Sequence, residues 1–343
     1  MALSPRESGK FIARMAKHVF IEDEGIKNLS SVVLERLIEQ NSTQDPGFGL
    51  STDFSQYDFH PKADNPKAID WIFLLDTLNF SFWSPSSERK WKVNGQTGYF
   101  ALCAAIKRAI DEKVPITSPN YYGSITNEEL ARILRGDDPN YVAPMIEERV
   151  KNLQEVGKIL VEKYNSTFVN FVQSCNGSAE ELLKKIVNEF ECYRDEADFH
   201  GTRVSFYKRA QILIGDIWAC FRGKDVGEFK DIDKITMFAD YRIPQVLLHF
   251  GAMRYSNPLL SALQTGTELL PGSLEEIEIR GCSIEVVERV VDFVRGELRK
   301  CSSSIDPSKC NAIRVDHFLW DYRRDHVEEM DRFPFHKIRT IYY

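Results

Sequence analysis

The helical pattern that recurs along most of this chain begins at Ser4-Pro5-Arg6-Glu7-Ser8-Gly9-Lys10-Phe11-Ile12. Ser4 and Glu7 have the spacing of a capping box, and Pro5 stands at the first helical position, where its missing N–H is harmless. The apolar residues that follow fall on one face of the predicted helix: Phe11, Ile12, Met15, Val19 and Phe20. The sequence therefore predicts a helix that starts at residue 5.

The same periodicity, with further capping signals, predicts helices over most of the remaining chain. They are expected at 26–40, 98–111, 126–136, 144–164, from 178 onward, and at 206–221, 283–300 and 315–330. Alternating isoleucine and charge predicts a strand at 275–280, and a second strand is expected at 338–343. The polar segments 41–66 and 301–310 are typical of loops and do not clearly divide the chain. We therefore expect one mainly α domain over residues 1–343 with a few short β-strands.

Composition narrows the range of functions. The 343 residues carry a net charge of −7 at pH 7, and 43% of them are hydrophobic, which allows a well-filled core. A surface that coats DNA or RNA needs many cations, so we expect no stable polynucleotide binding, although one local phosphate pocket remains compatible with this charge. No stretch approaches the ~20 apolar residues that span a bilayer, so we expect no membrane association.

The cysteines and histidines give no sign of a metal centre. The seven cysteines form no CxxC pair, and His317 and His326 lie nine residues apart, which does not fit the i, i+4 pair of a zinc helix. Phosphate-loop and dinucleotide-binding templates are absent too. We therefore expect no metal, no cofactor, reduced thiols and a cytoplasmic protein. Coiled-coil heptads are absent, and a monomer is expected.

One acidic residue stands out in the run Met237-Phe238-Ala239-Asp240-Tyr241-Arg242-Ile243-Pro244. Asp240 lies between aromatic residues and close to a guanidinium. Burial of a polar group costs about 1–3 kcal/mol even with partial compensation, and such a cost is useful where an acid must face a base or a sugar cation. The alternative is structural: Asp240 caps a helix start, or Arg242 neutralises it. The segment alone leaves both interpretations open.

Three further clusters combine chemistry-bearing residues, and each has a structural alternative. Trp320-Asp321-Tyr322-Arg323-Arg324-Asp325-His326 places two carboxylates at i, i+4 spacing on one helix face, or is a solvated face with ion pairs. Arg203-Val204-Ser205-Phe206-Tyr207-Lys208-Arg209 suits a single phosphate, or is an ordinary basic helix start. Asn79-Phe80-Ser81-Phe82-Trp83 is either a stacking wall for a heterocycle or part of the core.

At these clusters the chain resembles the queuosine salvage proteins, a family of queuosine 5′-phosphate N-glycosylases. The likeness runs from Leu3-Ser4-Pro5-Arg6-Glu7 to the last residue, and its longest matching segments are 76–83, 203–213, 236–242, 278–283, 319–322, 334–339 and 341–343. The resemblance implies a mainly helical fold similar to the helix-hairpin-helix DNA glycosylases. It also implies hydrolysis of the N-glycosidic bond of queuosine 5′-monophosphate, which releases queuine for reuse in tRNA.

The resemblance gives the candidate residues roles. Asp240 becomes the catalytic candidate, as stabiliser of an oxocarbenium-like sugar, as nucleophile or as water-orienting base. The substrate-binding candidates are Phe238, Asp321, Tyr322 and Asp325 for the base, Arg203, Tyr207 and Lys208 for the 5′-phosphate, and Asn79, Phe80, Trp83 and His60 for further contacts. Because queuine is a 7-deazaguanine, contacts other than protonation of N7 must reduce the charge on the leaving base. The alternative function is a non-catalytic helical binder of a modified nucleobase or an RNA end.

Overall fold

The computed structural model describes residues 2–42, 54–84, 90–300 and 305–343. Within these ranges the chain is mainly helical, with three small antiparallel sheets of two strands each. The predicted class, mainly α with a few short strands, is therefore confirmed. The helices are α1 (Pro5–Met15), α2 (Asp23–Asn41), α3 (Ala68–Thr77), α4 (Gly98–Asp111), α5 (Pro119–Tyr122), α6 (Asn127–Ile133), α7 (Ile146–Lys163), α8 (Phe168–Gln173), α9 (Ala179–Glu189), α10 (Lys208–Cys220), α11 (Ile243–His249), α12 (Asn257–Gln264), α13 (Leu274–Lys300), α14 (Ala312–Asp325) and α15 (Val327–Met330). The strands are β1 (Val19–Ile21), β2 (Lys92–Val93), β3 (Gln96–Thr97), β4 (Glu196–Phe199), β5 (Thr202–Ser205) and β6 (Met253–Tyr255).

Contacts divide the chain into two compact units. Unit 1 comprises Met1–Asp53, Asp195–Gln211 and Asp233–Arg339, and unit 2 comprises Phe54–Arg194, Ile212–Ile232 and Thr340–Tyr343. Such a division does not decide whether the units fold independently, so the single domain over 1–343 stays a prediction. Among the described helices, none combines the length and the apolar character that crossing a membrane requires.

Helix α1 begins as predicted. Ser4 accepts a hydrogen bond from the Glu7 N–H, and the Glu7 carboxylate accepts one from the Ser4 N–H. The helix packs on α13, where Gly281 permits a close approach because a Cβ there would lie 2.5 Å from Cδ1 of Ile12. It ends at Met15, so the prediction that its apolar face continues through Val19 and Phe20 is wrong: those residues form β1 and pair with β6.

The predicted strand at 275–280 is wrong, since these residues belong to helix α13, which starts at Leu274 rather than at 283. The charges that suggested an alternating exposed face are buried: Glu276, Glu278 and Arg280 are all at most 4% exposed. Glu278 is satisfied by the backbone, since its Oε2 accepts hydrogen bonds from the N–H groups of residues 17–19 at 2.6–3.2 Å. Charges with partners are compatible with a helix that is buried on several sides.

The second predicted strand, 338–343, is also absent from the described chain, where a single bridge between Glu268 and Lys337 precedes it. Most helix predictions are confirmed to within a few residues, including α4, α6, α7, α9 and α10. The predicted helix 315–330 is present as α14 and α15, interrupted at His326. In the predicted loops, 43–53 and 301–304 lie outside the described residues, and the short 3₁₀ turns Phe54–Gln56 and Pro307–Lys309 were not predicted.

Unit 2 has an aromatic core around helix α3. Phe73 of α3 stacks on Phe168 of α8 with ring centroids 4.0 Å apart. Asp70 at the start of α3 accepts a hydrogen bond from the Phe168 N–H at 2.8 Å and thereby fixes the start of α8. Arg149 of α7, fully buried, donates to the carbonyl oxygens of Leu78 and Phe80. These contacts hold the segment after α3 within the core of the unit.

Candidate active site

Asp240 lies just before helix α11 in unit 1, and its two carboxylate oxygens have different surroundings. Oδ1 accepts hydrogen bonds from the backbone N–H groups of Arg242 at 2.7 Å and Ile243 at 2.9 Å. In the described part of the chain, Oδ2 accepts no hydrogen bond, and the side chain is only partly buried. Asp240 therefore caps the helix with Oδ1, in a side chain that is only partly buried.

Arg242 does not neutralise this carboxylate. Its guanidinium donates to Oε1 of Gln245 at 3.1 Å and lies 4.1 Å from the centre of the Phe335 ring. Among the described residues Arg242 has no carboxylate within salt-bridge distance. Of the two structural alternatives raised by the sequence, the helix cap is present and the ion pair is not.

A second acid, Asp316, is buried near Asp240. Asp316 of α14 is 4% exposed, and its Oδ2 accepts a hydrogen bond from the Phe238 N–H at 2.9 Å. Burial, reinforced by the nearby charge of Asp240, raises the pKa of Asp316 well above its ordinary value, although the Phe238 N–H and Lys208 oppose this shift. The structure thus brings the run around Asp240 and the helix of the 320–326 cluster together through a backbone hydrogen bond.

The base-binding candidates on α14 differ in exposure. Tyr322 is partly buried, its hydroxyl lies 3.2 Å from Nε2 of His249, and its ring stacks on His326 at 4.1 Å. Asp321 is partly buried and Asp325 is exposed, so the two carboxylates differ in their access to water. The Phe238 ring is 3% exposed and lies in the interior of unit 1.

The predicted phosphate ligands have different surroundings, because Arg203 belongs to the hairpin β4–β5, which the sequence did not indicate, whereas Tyr207 and Lys208 follow it. Arg203 on β5 is 45% exposed and pairs with Glu196 at 3.0 Å and Asp198 at 2.9 Å. The Tyr207 hydroxyl donates to Glu196 at 2.6 Å. Lys208, by contrast, is buried: it is the first residue of helix α10 and is 6% exposed. Its positive charge lies close enough to Asp316 to lower the pKa of that carboxyl.

A buried arginine connects these two segments. The Arg280 Nε donates to the carbonyl oxygen of Ala239 at 3.0 Å, and its other nitrogens donate to both oxygens of Asp195 at 2.9 and 2.6 Å and to Glu276 at 3.2 Å. Asp195 Oδ2 in turn accepts the Lys208 N–H at 3.1 Å. One guanidinium therefore fixes the backbone immediately before Asp240 and, through Asp195, the start of α10.

The remaining candidates belong to unit 2. His60 is 7% exposed and sits against Phe54 with ring centroids 4.0 Å apart. Its Nδ1 lies 3.0 Å from the Phe54 carbonyl oxygen and must carry the proton, so Nε2 accepts from the Tyr99 hydroxyl at 2.9 Å. Burial lowers the pKa of His60 to about 4. His60 is thus a neutral, doubly hydrogen-bonded histidine.

The aromatic cluster after α3 is buried as well. Phe80 is 1% exposed and Trp83 is 4% exposed, and the Arg149 guanidinium lies 4.3 Å from the centre of the Phe80 ring. Asn79 donates from Nδ2 to Asp76 Oδ1 at 3.2 Å. This packing agrees with the core interpretation of the cluster, and a role in stacking on a substrate stays a prediction.

Sequence reasoning missed Asp316, Asp195 and Arg280. A signal for Asp316 existed, since it lies three residues before Leu319 on the apolar face of the predicted helix, a position where an acid is costly. Arg280 was missed because the incorrect strand prediction at 275–280 treated its charge as exposed. No group of three or more His, Cys, Asp or Glu side chains suited to a metal ion was found among the residues that the structure describes.

Comparison with known proteins points to one family. A family model described as "Queuosine salvage protein" matches residues 59–343. Proteins named queuosine 5′-phosphate N-glycosylase/hydrolase are similar to the chain: that of Bos taurus is 46% identical and that of Mus musculus 43%, each over 99% of both chains. The Schizosaccharomyces pombe protein of the same name is 33% identical over 98% of this chain and 99% of its own.

Proposed function

Because the chain belongs to the queuosine salvage protein family, we propose that it hydrolyses the N-glycosidic bond of queuosine 5′-phosphate and releases queuine. Relatives named for this activity align with it over 99% of both chains, and this full-length match supports a shared reaction. The observation that carries the mechanism is the Asp240 carboxylate, which two backbone N–H groups hold at Oδ1 in a side chain that is only partly buried.

Asp240 suits the charge that develops on the sugar. As the bond between C1′ and N9 breaks, both electrons leave with the base and the sugar becomes an oxocarbenium-like cation. A carboxylate that is already held in place stabilises that cation without reorganising during the reaction. Water then adds its hydroxyl to C1′ and returns a proton to the base. The free Oδ2 of Asp240 is suited to orient this water or to receive its proton.

Asp316 suits the leaving group. Burial raises its pKa and so shifts this carboxyl towards the protonated form, while one of its oxygens accepts the Phe238 N–H. A protonated carboxyl donates a hydrogen bond. Because queuine has carbon in place of N7, such a donor at another position reduces the charge that the departing base must hold. In this proposal Asp316 acts on the departing base, and Asp240 acts on the sugar.

The other site residues follow from this arrangement as further proposals. Phe238, Asp321, Tyr322 and Asp325 contact the base, and Lys208, buried next to Asp316, contacts the substrate. Arg203 and Tyr207 already bind Glu196, which weakens their case as phosphate ligands. The substrate roles of His60, Asn79, Phe80 and Trp83 stay predictions, as do a monomeric state, a cytoplasmic location and the absence of stable polynucleotide binding.

The direct test incubates the purified chain with queuosine 5′-monophosphate and measures free queuine by mass spectrometry. We expect release by the wild type, and a loss of about 10²–10³-fold or more in kcat for Asp240→Asn, by analogy with the removal of one preorganised electrostatic group. Asp292→Asn, which changes an exposed carboxylate on α13, is the matched control and should keep full activity.

Two outcomes would contradict the proposal. Binding of the nucleotide without release of queuine by the wild type would favour the non-catalytic binder. Release by Asp240→Asn at the wild-type rate would keep the reaction but remove Asp240 from it.

A further inference from the structure

The backbone of Tyr207 has a conformation that its side chain disfavours. Its φ is 49°, in the left-handed region, which a bulky residue adopts only as an outlier. Among the described residues, no other tyrosine, phenylalanine or tryptophan has a positive φ. Such strain persists only where the surrounding structure imposes it, and it is concentrated at functional sites. Tyr207 immediately precedes Lys208, so the strained residue stands next to one that the proposed function places on the substrate.

The left-handed residue makes the turn between strand β5 and helix α10. Strand β5 ends at Ser205, and α10 starts at Lys208. The carbonyl oxygen of Tyr207 accepts the Gln211 N–H at 2.9 Å, so Tyr207 occupies the N-cap position of the helix. A residue at this position normally has an extended backbone and caps the helix with a side-chain oxygen. Tyr207 does neither, because its backbone is left-handed and its hydroxyl binds Glu196.

Contacts of the side chain and of the backbone hold this conformation. The Tyr207 hydroxyl donates to Glu196 at 2.6 Å, and the side chain of Glu196 is only 15% exposed. Burial, followed by the hydrogen bond to Glu196, raises the pKa of Tyr207, so its hydroxyl stays a donor. The backbone carbonyl oxygen of Asp195 accepts the N–H groups of Phe206 at 3.0 Å and Tyr207 at 3.4 Å. Strand β4 and the residue before it therefore fix Tyr207 at both its hydroxyl and its N–H.

The turn determines where Lys208 begins the helix. Asp195 supplies the cap that the strained residue lacks, since its Oδ2 accepts the Lys208 N–H at 3.1 Å. The same carboxylate binds Arg280, whose Nε donates to the Ala239 carbonyl oxygen just before Asp240. The Lys208 side chain is 6% exposed. Hydrogen bonds therefore connect the start of α10 to the backbone beside the candidate catalytic acid.

We propose that Tyr207 is a positioning residue of the proposed hydrolase, which places Lys208 on the substrate by holding a left-handed backbone at the start of α10. The assignment rests on the function proposed above. An extended backbone at residue 207 would send the chain in another direction and displace the Lys208 side chain from its buried position. A contact group gives its full effect only when its neighbours hold it in the productive geometry. Tyr207 thus acts through its backbone and its hydrogen bond to Glu196, rather than as a phosphate ligand.

The test compares Tyr207→Val with Tyr207→Asn. Asparagine tolerates the left-handed region, whereas a β-branched residue there is a genuine outlier. We expect Tyr207→Val to lose about 10²-fold in kcat/KM for queuosine 5′-monophosphate, because a displacement of about 1 Å costs that much. Tyr207→Asn should stay within about tenfold of the wild type, since it keeps the backbone and loses only the hydrogen bond to Glu196. The matched control is Lys113→Val, at an exposed position of unit 2 with a φ of 65°, which should leave kcat/KM unchanged.

Chemical modification of Lys208 separates this proposal from the reaction itself. Acetic anhydride acetylates exposed lysines faster than buried ones, and mass spectrometry after proteolysis measures the rate at Lys208. This rate should rise several-fold in Tyr207→Val, because the side chain leaves its buried position. It should stay close to the wild-type rate in Tyr207→Asn and in Lys113→Val.

Two results would overturn the assignment. One is a Tyr207→Val variant whose kcat/KM and acetylation rate equal those of the wild type. The other is a lower activity for Tyr207→Asn than for Tyr207→Val, because side-chain size rather than backbone conformation would then decide. If Tyr207→Val does not fold, Tyr207→Gly and Tyr207→Ala make the same comparison, and the glycine variant should be the more active, since glycine adopts positive φ without penalty. If the wild type releases no queuine, the proposed function fails, while the acetylation rates still decide whether residue 207 positions Lys208.

Discussion

Arg280 fixes the backbone next to the candidate site, and its removal should destabilise the fold strongly. The side chain is 2% exposed, and its nitrogens donate hydrogen bonds to Asp195, Glu276 and the Ala239 carbonyl oxygen. Arg280→Met keeps most of the side-chain volume but deprives two buried carboxylates of their cation. Breaking a buried ion pair in this way costs about 3–5 kcal/mol, which is a large fraction of the ~5–15 kcal/mol by which domains are stable.

Equilibrium unfolding in urea at pH 7 measures this loss. The matched control is Arg289→Met on the same helix, since Arg289 is 44% exposed and pairs with Asp23 and Glu285 at the surface. Surface pairs contribute only about 0–1 kcal/mol, so the control should stay close to the wild type. A loss below about 1 kcal/mol for Arg280→Met would refute the reasoning, because the two carboxylates would then not depend on this guanidinium.

A catalytic measurement distinguishes positioning from mere stability. Arg280→Lys keeps a cation but cannot reach Ala239 and Asp195 together, so the backbone before Asp240 and the start of α10 lose their common anchor. We expect the folded variant to lose about tenfold or more in kcat with a smaller change in KM, because small displacements of catalytic groups are costly. A variant that is destabilised but has wild-type kcat when folded would show that Arg280 only holds the fold together.

Two further predictions use pH. The raised pKa of Asp316 means that its carboxyl binds a proton more tightly in the folded protein than in the unfolded chain, so the contribution of Asp316 to stability falls as pH rises above the ordinary carboxyl pKa. Asp316→Asn should therefore increase the free energy of unfolding at pH 7, with a gain that shrinks towards pH ~4. An equal difference between variant and wild type at all pH values would contradict this prediction. The pKa of His60 is lowered to about 4, so its contribution is present above pH ~6.5 and is lost as pH falls from there to about 4, by roughly 3 kcal/mol in total. His60→Gln should show a shallower loss of stability over this pH range in urea unfolding, and a slope identical to that of the wild type would be inconsistent with a buried neutral histidine.

Local signals in the sequence predicted local structure well. The capping pairs that begin at Ser4, Thr126 and Ser178 each precede a helix, because a side chain that satisfies the first free N–H groups acts within one turn. The segment 275–280 misled for the opposite reason. Its charges find partners far along the chain, as Arg280 does with Asp195, and periodicity cannot register a partner that lies outside the window.

The candidate site was predictable to the same limited extent. Asp240 was identified because its flanking aromatic residues lie beside it in the sequence. Whether Arg242 neutralises it was undecidable, since this depends on the direction of one side chain, which Gln245 and Phe335 determine. Asp316 is separated from Phe238 by 78 positions that include helices α11, α12 and α13, so its hydrogen bond to that residue is a product of tertiary structure.

Unit 1 thus contains two kinds of buried charge, and their difference is itself informative. Around Arg280 the carboxylates and the guanidinium match and every one of them is enclosed. Around Asp240 a carboxylate oxygen accepts nothing within the described chain, a buried acid has a raised pKa, and Arg323 retains a buried nitrogen with no acceptor there. A fold selected only for stability would have paired these groups, as the charges around Arg280 are paired. Such a concentration of groups without full partners is typical of a functional site rather than of a purely structural one.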